Sequence, residues 1–391
     1  MIPKGWDVKP LGELVTIRSG GTPSKSRPDY WGGSVNWFTA KDLKSLTLRE
    51  SELKLSELGA QSSIVVEPGT ILVLTRGMGL LNDVPMGICE QRSAFNQDVK
   101  ALFAHAGVHA RFLLYALANT KHRISNLITT AGHGTCRLET ESLLEHSLLI
   151  PEPSEQAAIA GVLSIYDAVE ERVEALLTAK RRSRQALAQR LLAGKARLPG
   201  FTRDWQPAEL GALFKERREA GREDLPLLAI TGDRGIVNRE ELAKRDTSCE
   251  DKRRYLRIAP GDIGYNTMRM WQGVCALSKL EGIVSPAYTI CTPRRGVSAE
   301  FMVKLFQLPA TIHLFHRHSQ GLVDDTLNLK FKHFAKIKLA VPTEVKEQQA
   351  IAAILNDADR EIALHRAELD ALKRQKRGLM QQLLTGKVRV P

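Results

Sequence analysis

Polar and basic residues beside glycines are the part of this sequence best suited to recognition chemistry. Asn and Gln side chains can form two hydrogen bonds with adenine, Arg can do so with guanine, and an aromatic ring can pack on a sugar. Such residues are Thr75, Arg76, Asn96, Gln97, His133 and Arg137 in the first half of the chain and Asn266, Arg269, Trp271, Gln272 and Lys330 in the second. We interpret them as candidates for reading base edges in a DNA groove. Two alternatives stay open, since Asn also forms turns and Trp is often a core residue.

The sequence lacks the signatures of a catalytic site. It has no GxxxxGK[ST] loop for a nucleotide and no Asn-Pro-Pro-aromatic run of the kind that adenine methyltransferases use. The triplet from Glu52 to Lys54 resembles part of a nuclease site, but an exposed ion pair is the better interpretation. The five cysteines form no CxxC pair, so we expect neither a zinc site nor a disulfide framework. We therefore predict a protein that is not an enzyme.

Composition indicates a protein of more than one domain. The 391 residues exceed one ordinary core, and Lys and Arg outnumber Asp and Glu by 56 to 44, a net charge of +12. This charge suits a polyanion partner, although it could also serve solubility alone. No signal sequence and no apolar stretch of about 18 residues is present, so we expect a cytoplasmic protein without a membrane span.

The second half of the chain repeats the first. Residues 155–199 align without gaps to residues 347–391, with 19 of 45 positions identical. The repetition extends outside these segments, because Trp6 and Gly12 recur as Trp205 and Gly211. The chain is therefore a tandem duplication of a unit with about 150 globular residues followed by about 45 helical residues.

Each repeated 45-residue segment has a stripe of mainly apolar residues at alternating steps of four and three, beginning at Ile159 and at Ile351. A 4-3 repeat over five heptads predicts a coiled coil. Each helix should have about 39 residues and a length of roughly 58 Å, with Gly194 and Gly386 at its end. An antiparallel pair is the simpler arrangement, because a globular segment must bring the chain back between them.

Apolar residues outside this stripe indicate that another protein packs on the helices. A spacer or a dimerisation coiled coil without a further role is the alternative, but it leaves these side chains exposed. The predicted partner-binding residues are Val162, Val169, Leu176, Leu192, Ile354 and Leu384.

The globular segments contain short apolar runs separated by turn residues, which predict strands. One helical stretch in each, near residues 110–125 and 299–316, makes them mixed α and β. The predicted fold class is α+β: two mixed α/β domains separated by two long antiparallel coiled-coil helices, related by a pseudo-twofold tandem duplication.

The chain resembles the specificity subunits of type I restriction-modification systems over essentially its whole length. The resemblance is carried by the duplicated helix start P-x-x-x-EQ-x-x-IA, the helix end Q-x-LL-x-GK-x-R, the domain openings GWDVKPLGEL and DWQPAELGAL, and the run GGTPSKSRPDYWGGSVNWFTAKDL. The second start is one residue longer after Pro342, and the second domain has no counterpart of the GGTP run. We therefore expect the two recognition surfaces to differ.

The resemblance implies two target-recognition domains, at residues 1–150 and 199–341, and two conserved helical regions, at residues 151–198 and 342–391. Each domain would read one half of an asymmetric, two-part site on double-stranded DNA, and the helices would set the spacer. Two methyltransferase subunits would dock on the chain and supply adenine N6 methylation, while a translocating nuclease subunit is a further partner that the resemblance leaves open. The alternative is a coiled-coil scaffold that binds proteins without DNA sequence specificity.

Overall fold

The computed structural model describes residues 2–130, 135–232, 234–242, 251–323 and 326–390. They form two compact units, Met1–Glu174 with Glu368–Pro391, and Ala175–Ala367. We call these unit 1 and unit 2. Each unit combines one globular segment with parts of both long helices. The four-part division of the chain predicted from the sequence follows the repeat and stays a prediction.

Unit 1 is built around a five-stranded, mainly antiparallel sheet and a second, smaller sheet. Its strands are β1 (Asp7–Pro10), β2 (Val15–Ser19), β3 (Trp31–Phe38), β4 (Thr47–Leu48), β5 (Leu53–Leu55), β6 (Val65–Val66), β7 (Ile71–Leu74), β8 (Met86–Cys89), β9 (Ser93–Phe95), β10 (Val99–Ala104), β11 (Ile128–Thr130), β12 (Cys136–Leu138) and β13 (Ser147–Ile150). Its shorter helices are α1 (Leu11–Leu14), α2 (Glu57–Gln61), α3 (Ala110–Asn119), α4 (Lys121–Ser125) and α5 (Thr140–Leu144). The long helix α6 (Pro153–Leu192) follows.

Unit 2 repeats this plan with fewer strands. Its strands are β14 (Gln206–Glu209), β15 (Phe214–Arg217), β16 (Leu228–Thr231), β17 (Gly235–Asn238), β18 (Leu256–Ile258), β19 (Ile263–Asn266), β20 (Cys275–Leu277), β21 (Gly282–Val284), β22 (Tyr288–Pro293) and β23 (Lys338–Val341). Its helices are α7 (Leu210–Leu213), α8 (Ala299–Phe306), α9 (Pro309–His318), α10 (Phe331–Phe334) and the long α11 (Val345–Leu383).

The central sheets of the two units share one topology. The order β2-β10-β7-β8 in unit 1 corresponds to β15-β22-β19-β20 in unit 2, and unit 1 adds β4 at the edge. The middle strand β7 is buried along its whole length because its sequence, ILVL, is apolar on both faces. The duplication predicted from the sequence is therefore present in the fold, as are the mixed α/β domains.

The units differ in the layer beside the central sheet. In unit 1 this layer is a four-stranded sheet, β5-β3-β9-β6, and its strand β3 comes from the GGTP run. In unit 2 it consists of two strand pairs, β16-β17 and β18-β21. Unit 2 has no counterpart of the GGTP run, and in place of the four-stranded sheet it has these two strand pairs.

The first and last strands of each globular segment pair with each other. Strand β1 runs antiparallel to β13, with Asp7 opposite Ile150, and β14 runs antiparallel to β23, with Gln206 opposite Val341. Each pairing brings the start of the segment to the start of the following long helix.

The long helices have 40 and 39 residues, which confirms the predicted length. Within each unit the helix segments run antiparallel, and the glycines that follow them, Gly194 and Gly386, have φ values of 67° and 66°. The direction is given by the ion pairs Asp167–Lys376 and Glu174–Lys373 in unit 1 and Lys180–Glu361 and Arg184–Asp359 in unit 2. No helix among the described residues is long and apolar enough to span a membrane.

The Glu of each repeated Glu-Gln pair closes a three-residue clamp. In unit 1, Glu155 accepts hydrogen bonds from the Trp6 indole at 3.1 Å and from both ends of the Arg389 guanidinium at 2.6 and 2.7 Å. In unit 2, the clamp consists of Glu347, Arg197 and Trp205, at 2.9 Å from the Arg197 Nε and 3.2 Å from the indole. Each Arg comes from the end of one long helix and each Glu from the start of the other. The duplicated helix-start and helix-end motifs therefore mark where the helices meet.

The Gln of the pair fixes the long helix to the globular segment. The Gln156 side chain accepts a hydrogen bond from the His109 backbone N–H at 2.8 Å and donates one to the Pro151 carbonyl at 2.9 Å. Gln348 makes the equivalent bonds with Ser298 and Pro342, both at 2.8 Å. All four partners are backbone groups, so these contacts do not depend on the side chains nearby.

Both helix termini contribute apolar residues to the core of their unit. In unit 1 these include Ile159 and Leu163 from α6, and in unit 2 Ile351 and Leu355 from α11. Burying each such side chain contributes about 1.5–3 kcal/mol, so the helices are integral parts of the units.

Removing the clamp arginine of unit 2 tests this arrangement. Arg197→Ala leaves the buried Glu347 carboxylate without its cation, and we expect the free energy of unfolding to fall by about 3 kcal/mol. Urea unfolding followed by circular dichroism measures this change. Arg190→Ala, an exposed change near the end of α6, is the matched control; equal unfolding midpoints for both variants would contradict the clamp.

Glu170 interrupts the apolar seam of the helix pair in unit 1. Its Oε1 atom is buried and has no hydrogen-bond partner among the described residues. Lys376 lies 3.9 Å from its Oε2 atom but already bonds Asp167. Burial raises the pKa of Glu170, against the attraction of Lys376. The equivalent residue of the second copy is the apolar Ile362.

Replacing this carboxylate, Glu170→Ile, should raise the free energy of unfolding by about 1–3 kcal/mol at neutral pH, because a buried acceptor without a partner is removed. Since the folded-state pKa of Glu170 is raised, its ionisation destabilises the fold only above the unfolded-state pKa. The gain should therefore shrink on acidification to about pH 4. Urea unfolding at both pH values measures it, with Ile362→Glu as the converse variant, expected to destabilise unit 2.

Candidate nucleic-acid interface

The predicted recognition residues of unit 1 meet at one end of its central sheet. Thr75 and Arg76 follow β7, Asn96 and Gln97 precede β10, and Arg137 lies on β12. The Asp98 carbonyl accepts hydrogen bonds from the backbone N–H groups of Thr75, at 2.8 Å, and Arg76, at 3.2 Å, and the Thr75 carbonyl accepts one from Leu138 at 2.9 Å. His133 lies outside the described residues.

Two of these residues hold the loop and are not exposed. The buried Thr75 hydroxyl donates to the Asp98 carbonyl at 3.2 Å, and the buried Asn96 amide donates to the Asp98 carboxylate at 3.1 Å. The Asn96 side chain also accepts a hydrogen bond from the Asp98 backbone N–H. Their polar atoms are therefore engaged in the fold, and their role is to position the neighbouring side chains.

The other three residues are exposed, and we call them the recognition edge of unit 1: Arg76, Gln97 and Arg137. The Gln97 carbonyl oxygen accepts a hydrogen bond from the Thr22 hydroxyl at 2.7 Å, which orients the amide. Arg137 forms an exposed ion pair with Glu139 at 3.0 Å, and such a pair exchanges readily for another anion. The edge can therefore offer amide and guanidinium donors to an acceptor in a DNA groove.

A cleft with polar and apolar walls adjoins the recognition edge and was not predicted from the sequence. The Asp42 carboxylate shapes it, because it accepts hydrogen bonds from the Thr39 N–H and hydroxyl, both at 2.8 Å, and from the Glu52 N–H at 2.9 Å. Exposed Lys25 and Lys41 also line this cleft. Most of these residues belong to the GGTP run, and this run was the sequence feature from which the cleft could have been predicted. The Glu52 to Lys54 triplet lies here as part of this loop and β5.

The predicted residues of unit 2 surround the turn after β19. The Asn266 side chain accepts a hydrogen bond from the Met268 N–H at 2.9 Å, and the Trp271 indole donates to the Met268 carbonyl at 3.0 Å. Gly273 closes the turn with a φ of 79°, a conformation that favours glycine. Asn266 and Trp271 thus fix the turn, while Arg269 and Gln272 are exposed.

Lys330 adjoins this turn through the backbone. The Leu329 N–H donates to the Thr267 carbonyl at 2.9 Å, so Lys330 follows directly beside the turn. We call the exposed residues Arg269, Gln272 and Lys330 the recognition edge of unit 2.

The described residues contain no cluster of His, Cys, Asp and Glu that could hold a metal ion. The thiols of Cys89 and Cys275 are buried, which raises their pKa to about 12 and keeps them protonated. Cys136 and Cys291 are also buried and unpaired, and Cys249 lies outside the described residues.

The sequence profile of the type I restriction modification DNA specificity domain matches residues 3–179 and 306–374, well over half of the chain. The chain belongs to this family. It is similar to the specificity subunit of the type I restriction enzyme MjaIX of Methanocaldococcus jannaschii, with 33% identity over 175 residues, 42% of this chain and 39% of that protein. It is also similar to the EcoR124I/EcoR124II specificity subunit of Escherichia coli, with 24% identity over 162 residues, 41% of this chain and 40% of that protein.

The chain thus spans about two fifths of the length of the curated relatives that it matches. The fold is similar along the whole chain to the crystal structure of a type I restriction-modification system S subunit from M. genitalium. The TM-score is 0.62 at 17% identity, and the match covers 98% of this chain and 96% of that one. The predicted fold class is therefore that of the specificity-subunit family.

The predicted partner-binding residues separate into exposed and buried groups. Leu176 and Ile354 are exposed, and Val162 and Val169 are half-buried. Leu192 and Leu384, by contrast, are 3% and 5% exposed, because each packs into the core of its unit at the end of a long helix. They offer no surface to a partner.

Two strongly exposed apolar residues of the helices were missed in the sequence. Ile165 and Leu364 are each 65% exposed. Ile165 lies between Val162 and Val169 at helical spacing, so these three share one face of α6. Neither Ile165 nor Leu364 was among the partner-binding residues predicted from the sequence, although each directly precedes a position of the predicted stripe.

The division into positioning and exposed residues predicts different effects on stability. Asn96→Ala should lower the free energy of unfolding by about 1–3 kcal/mol, because the Asp98 backbone N–H and carboxylate lose their partner. Arg76→Ala should change it by less than about 0.5 kcal/mol, as expected for an exposed side chain. Urea unfolding of both variants measures the difference, and a neutral Asn96→Ala variant would contradict the positioning role.

Proposed function

We propose that this chain is the DNA-recognition subunit of a type I restriction-modification complex and that each unit reads one half of an asymmetric, two-part site. The observation that carries the proposal is the pair of recognition edges. Each has an exposed Arg in the loop after the equivalent strand of the central sheet, Arg76 after β7 and Arg269 after β19. Each also has an exposed Gln, Gln97 or Gln272. Because the side chains and loops around the edges differ, the two half-sites should differ in sequence.

The proposed readers of bases are Arg76, Gln97 and Arg137 in unit 1 and Arg269 and Gln272 in unit 2. Thr75, Asn96, Asn266 and Trp271 would act through these residues by holding the loops. Lysines would contact phosphates, which adds affinity that falls with salt and carries little sequence information. The domain boundaries at residues 1–150 and 199–341 and the role of the helices in setting the spacer belong to the same proposal.

The proposed protein partners are two methyltransferase subunits, which would supply S-adenosylmethionine binding and adenine N6 methylation. A nuclease subunit would join through them, and the chain itself would need no cofactor and no catalytic site. Apolar residues of α6 and α11 support a separate docking surface in each unit. In unit 1 it has the exposed Ile165 and the half-buried Val162 and Val169, and in unit 2 it has the exposed Leu176, Ile354 and Leu364.

Methylation mapping of the source genome tests the function. Deleting the gene should abolish methylation at one asymmetric, two-part adenine motif, and restoring the wild-type gene should bring it back. Restoring Arg76→Ala should relax or abolish only one half of the motif, since a bidentate contact to a base contributes about 1–3 kcal/mol of discrimination. Arg172→Ala, an exposed change on α6, should restore the full motif.

A scaffold without DNA specificity predicts a different result. Deletion would leave every methylation motif intact although the chain still co-purifies with its partners. Ile165→Asp separates the two roles, because it should weaken co-purification with a methyltransferase subunit and leave DNA binding by the purified chain unchanged.

A further inference from the structure

The short helix before the closing strand of each globular segment carries opposite charge in the two units. Helices α5 and α10 are equivalent, because the backbone bond from Leu11 N–H to the His146 carbonyl recurs from Leu210 N–H to the Ile337 carbonyl, both at 2.9 Å. The helices therefore align at an offset of 191 residues. At this offset Glu139, Glu141 and Glu145 correspond to Lys330, Lys332 and Lys336.

The three lysines of unit 2 are exposed, and none pairs with a carboxylate in the described part of the chain. They surround His333, whose pKa is lowered by its partial burial and by the charges of Lys332, Lys336 and Lys330. His333 is therefore neutral at pH 7, and the positive charge of this surface comes from the lysines. We call Lys330, Lys332 and Lys336 the lysine face of α10.

The lysine face is continuous with the recognition edge of unit 2. Lys330 belongs to both, and the Leu329–Thr267 hydrogen bond holds it beside the turn that carries Arg269. Uncompensated cations next to a proposed base-reading turn suit the phosphates that flank the bases. In unit 1 the same position offers carboxylates, which repel phosphate, and Glu139 moreover pairs with Arg137.

We propose that the lysine face of α10 is a binding surface for the phosphates of duplex DNA that only unit 2 has, so that the two half-sites are held with unequal electrostatic strength. The inference rests on the proposed function and adds that the two units contribute differently to DNA affinity. Unit 2 supplies more of the salt-dependent affinity, and unit 1 depends more on contacts to its half-site.

The test is DNA binding by the purified full chain at several salt concentrations, with one duplex that carries the mapped methylation motif and one of random sequence. Lys332→Ala/Lys336→Ala removes two phosphate contacts, so the slope of log K against log salt should become shallower by about 1.8. Affinity at physiological salt should fall on the order of tenfold for both duplexes alike.

A matched control removes the same net charge elsewhere in unit 2. Lys195→Ala/Lys346→Ala changes two exposed lysines next to the ends of the long helices, and it should leave the salt slope nearly unchanged. The converse variant, Glu141→Lys/Glu145→Lys, creates the lysine pattern in unit 1 and should steepen the slope and raise the affinity for both duplexes. Thermal unfolding verifies that all variants are folded.

Equal slopes for the wild type, the lysine variant and the control would overturn the inference, as would a lysine variant that binds DNA normally but no longer co-purifies with a methyltransferase subunit. The second result would assign the surface to a protein partner. Failure of the proposed function looks different, because the wild type would then bind both duplexes with equal affinity. The salt slope on the random duplex would still decide whether the lysine face binds phosphate.

Discussion

A buried carboxylate at the start of each long helix holds three separate parts of its unit together. Glu155 joins α6 to Trp6 near the beginning of the chain and to Arg389 beyond the end of α11. The Arg389 guanidinium and the Trp6 indole hold the pKa of Glu155 below its usual range, although burial acts in the opposite direction. The carboxylate is therefore charged at neutral pH, and its contribution to stability is lost only as the pH falls through that lowered pKa. Glu347 makes the equivalent contacts with Arg197 and Trp205 in unit 2, so the same three-residue contact joins both helices to the globular segment in each unit.

A second carboxylate lies further along each helix pair, and its partners differ between the copies. Asp167 contacts Lys376 and the Tyr115 hydroxyl, whereas the equivalent Asp359 contacts Arg184 and Lys304. Burial raises the pKa of Asp359, but Arg184 and Lys304 outweigh that effect and leave it lowered. The pair of unit 1 is largely buried, with Asp167 14% and Lys376 10% exposed, so removing one partner there would leave an uncompensated charge. Each helix pair is therefore specified by polar contacts as well as by its apolar stripe.

The sequence was sufficient for the architecture because the duplication and the helical periodicity are properties of the whole chain. The helix lengths, the glycine ends and the mixed α/β segments are all confirmed. Each predicted helical stretch of the globular segments, however, proved to be two helices, α3 and α4 in unit 1 and α8 and α9 in unit 2. The same reasoning wrongly predicted that Leu192 and Leu384 bind a partner. Both continue the helical pattern, but their side chains are buried in the core of a unit. Periodicity describes one helix and contains no information on the domain that packs against its end.

The candidate recognition sites were only partly predictable for a related reason. Residue type and a neighbouring glycine located the correct loops. Thr75 and Asn96 carry the same polar groups as a base-reading residue, but these groups form hydrogen bonds with Asp98. Only the hydrogen-bond distances in the structure distinguish a side chain that stabilises the loop from one that extends from the loop into solvent. The glutamates of α5 and the lysines of α10 are visible in the sequence. They could be recognised as equivalent positions only from the backbone hydrogen bonds of Leu11 and Leu210, which align the two short helices.

Unit 1 is made of two separate segments of the chain, and this affects how the protein folds during synthesis. Unit 2 is one continuous segment, Ala175–Ala367, whereas unit 1 also requires Glu368–Pro391. Met380 and Leu383 lie in the core of unit 1, and Arg389 closes its clamp. All the contacts of unit 2 can therefore form before residues 368–391 emerge from the ribosome, while the globular segment translated first retains an open apolar surface until those residues are available. The first unit to be synthesised is the last to be completed.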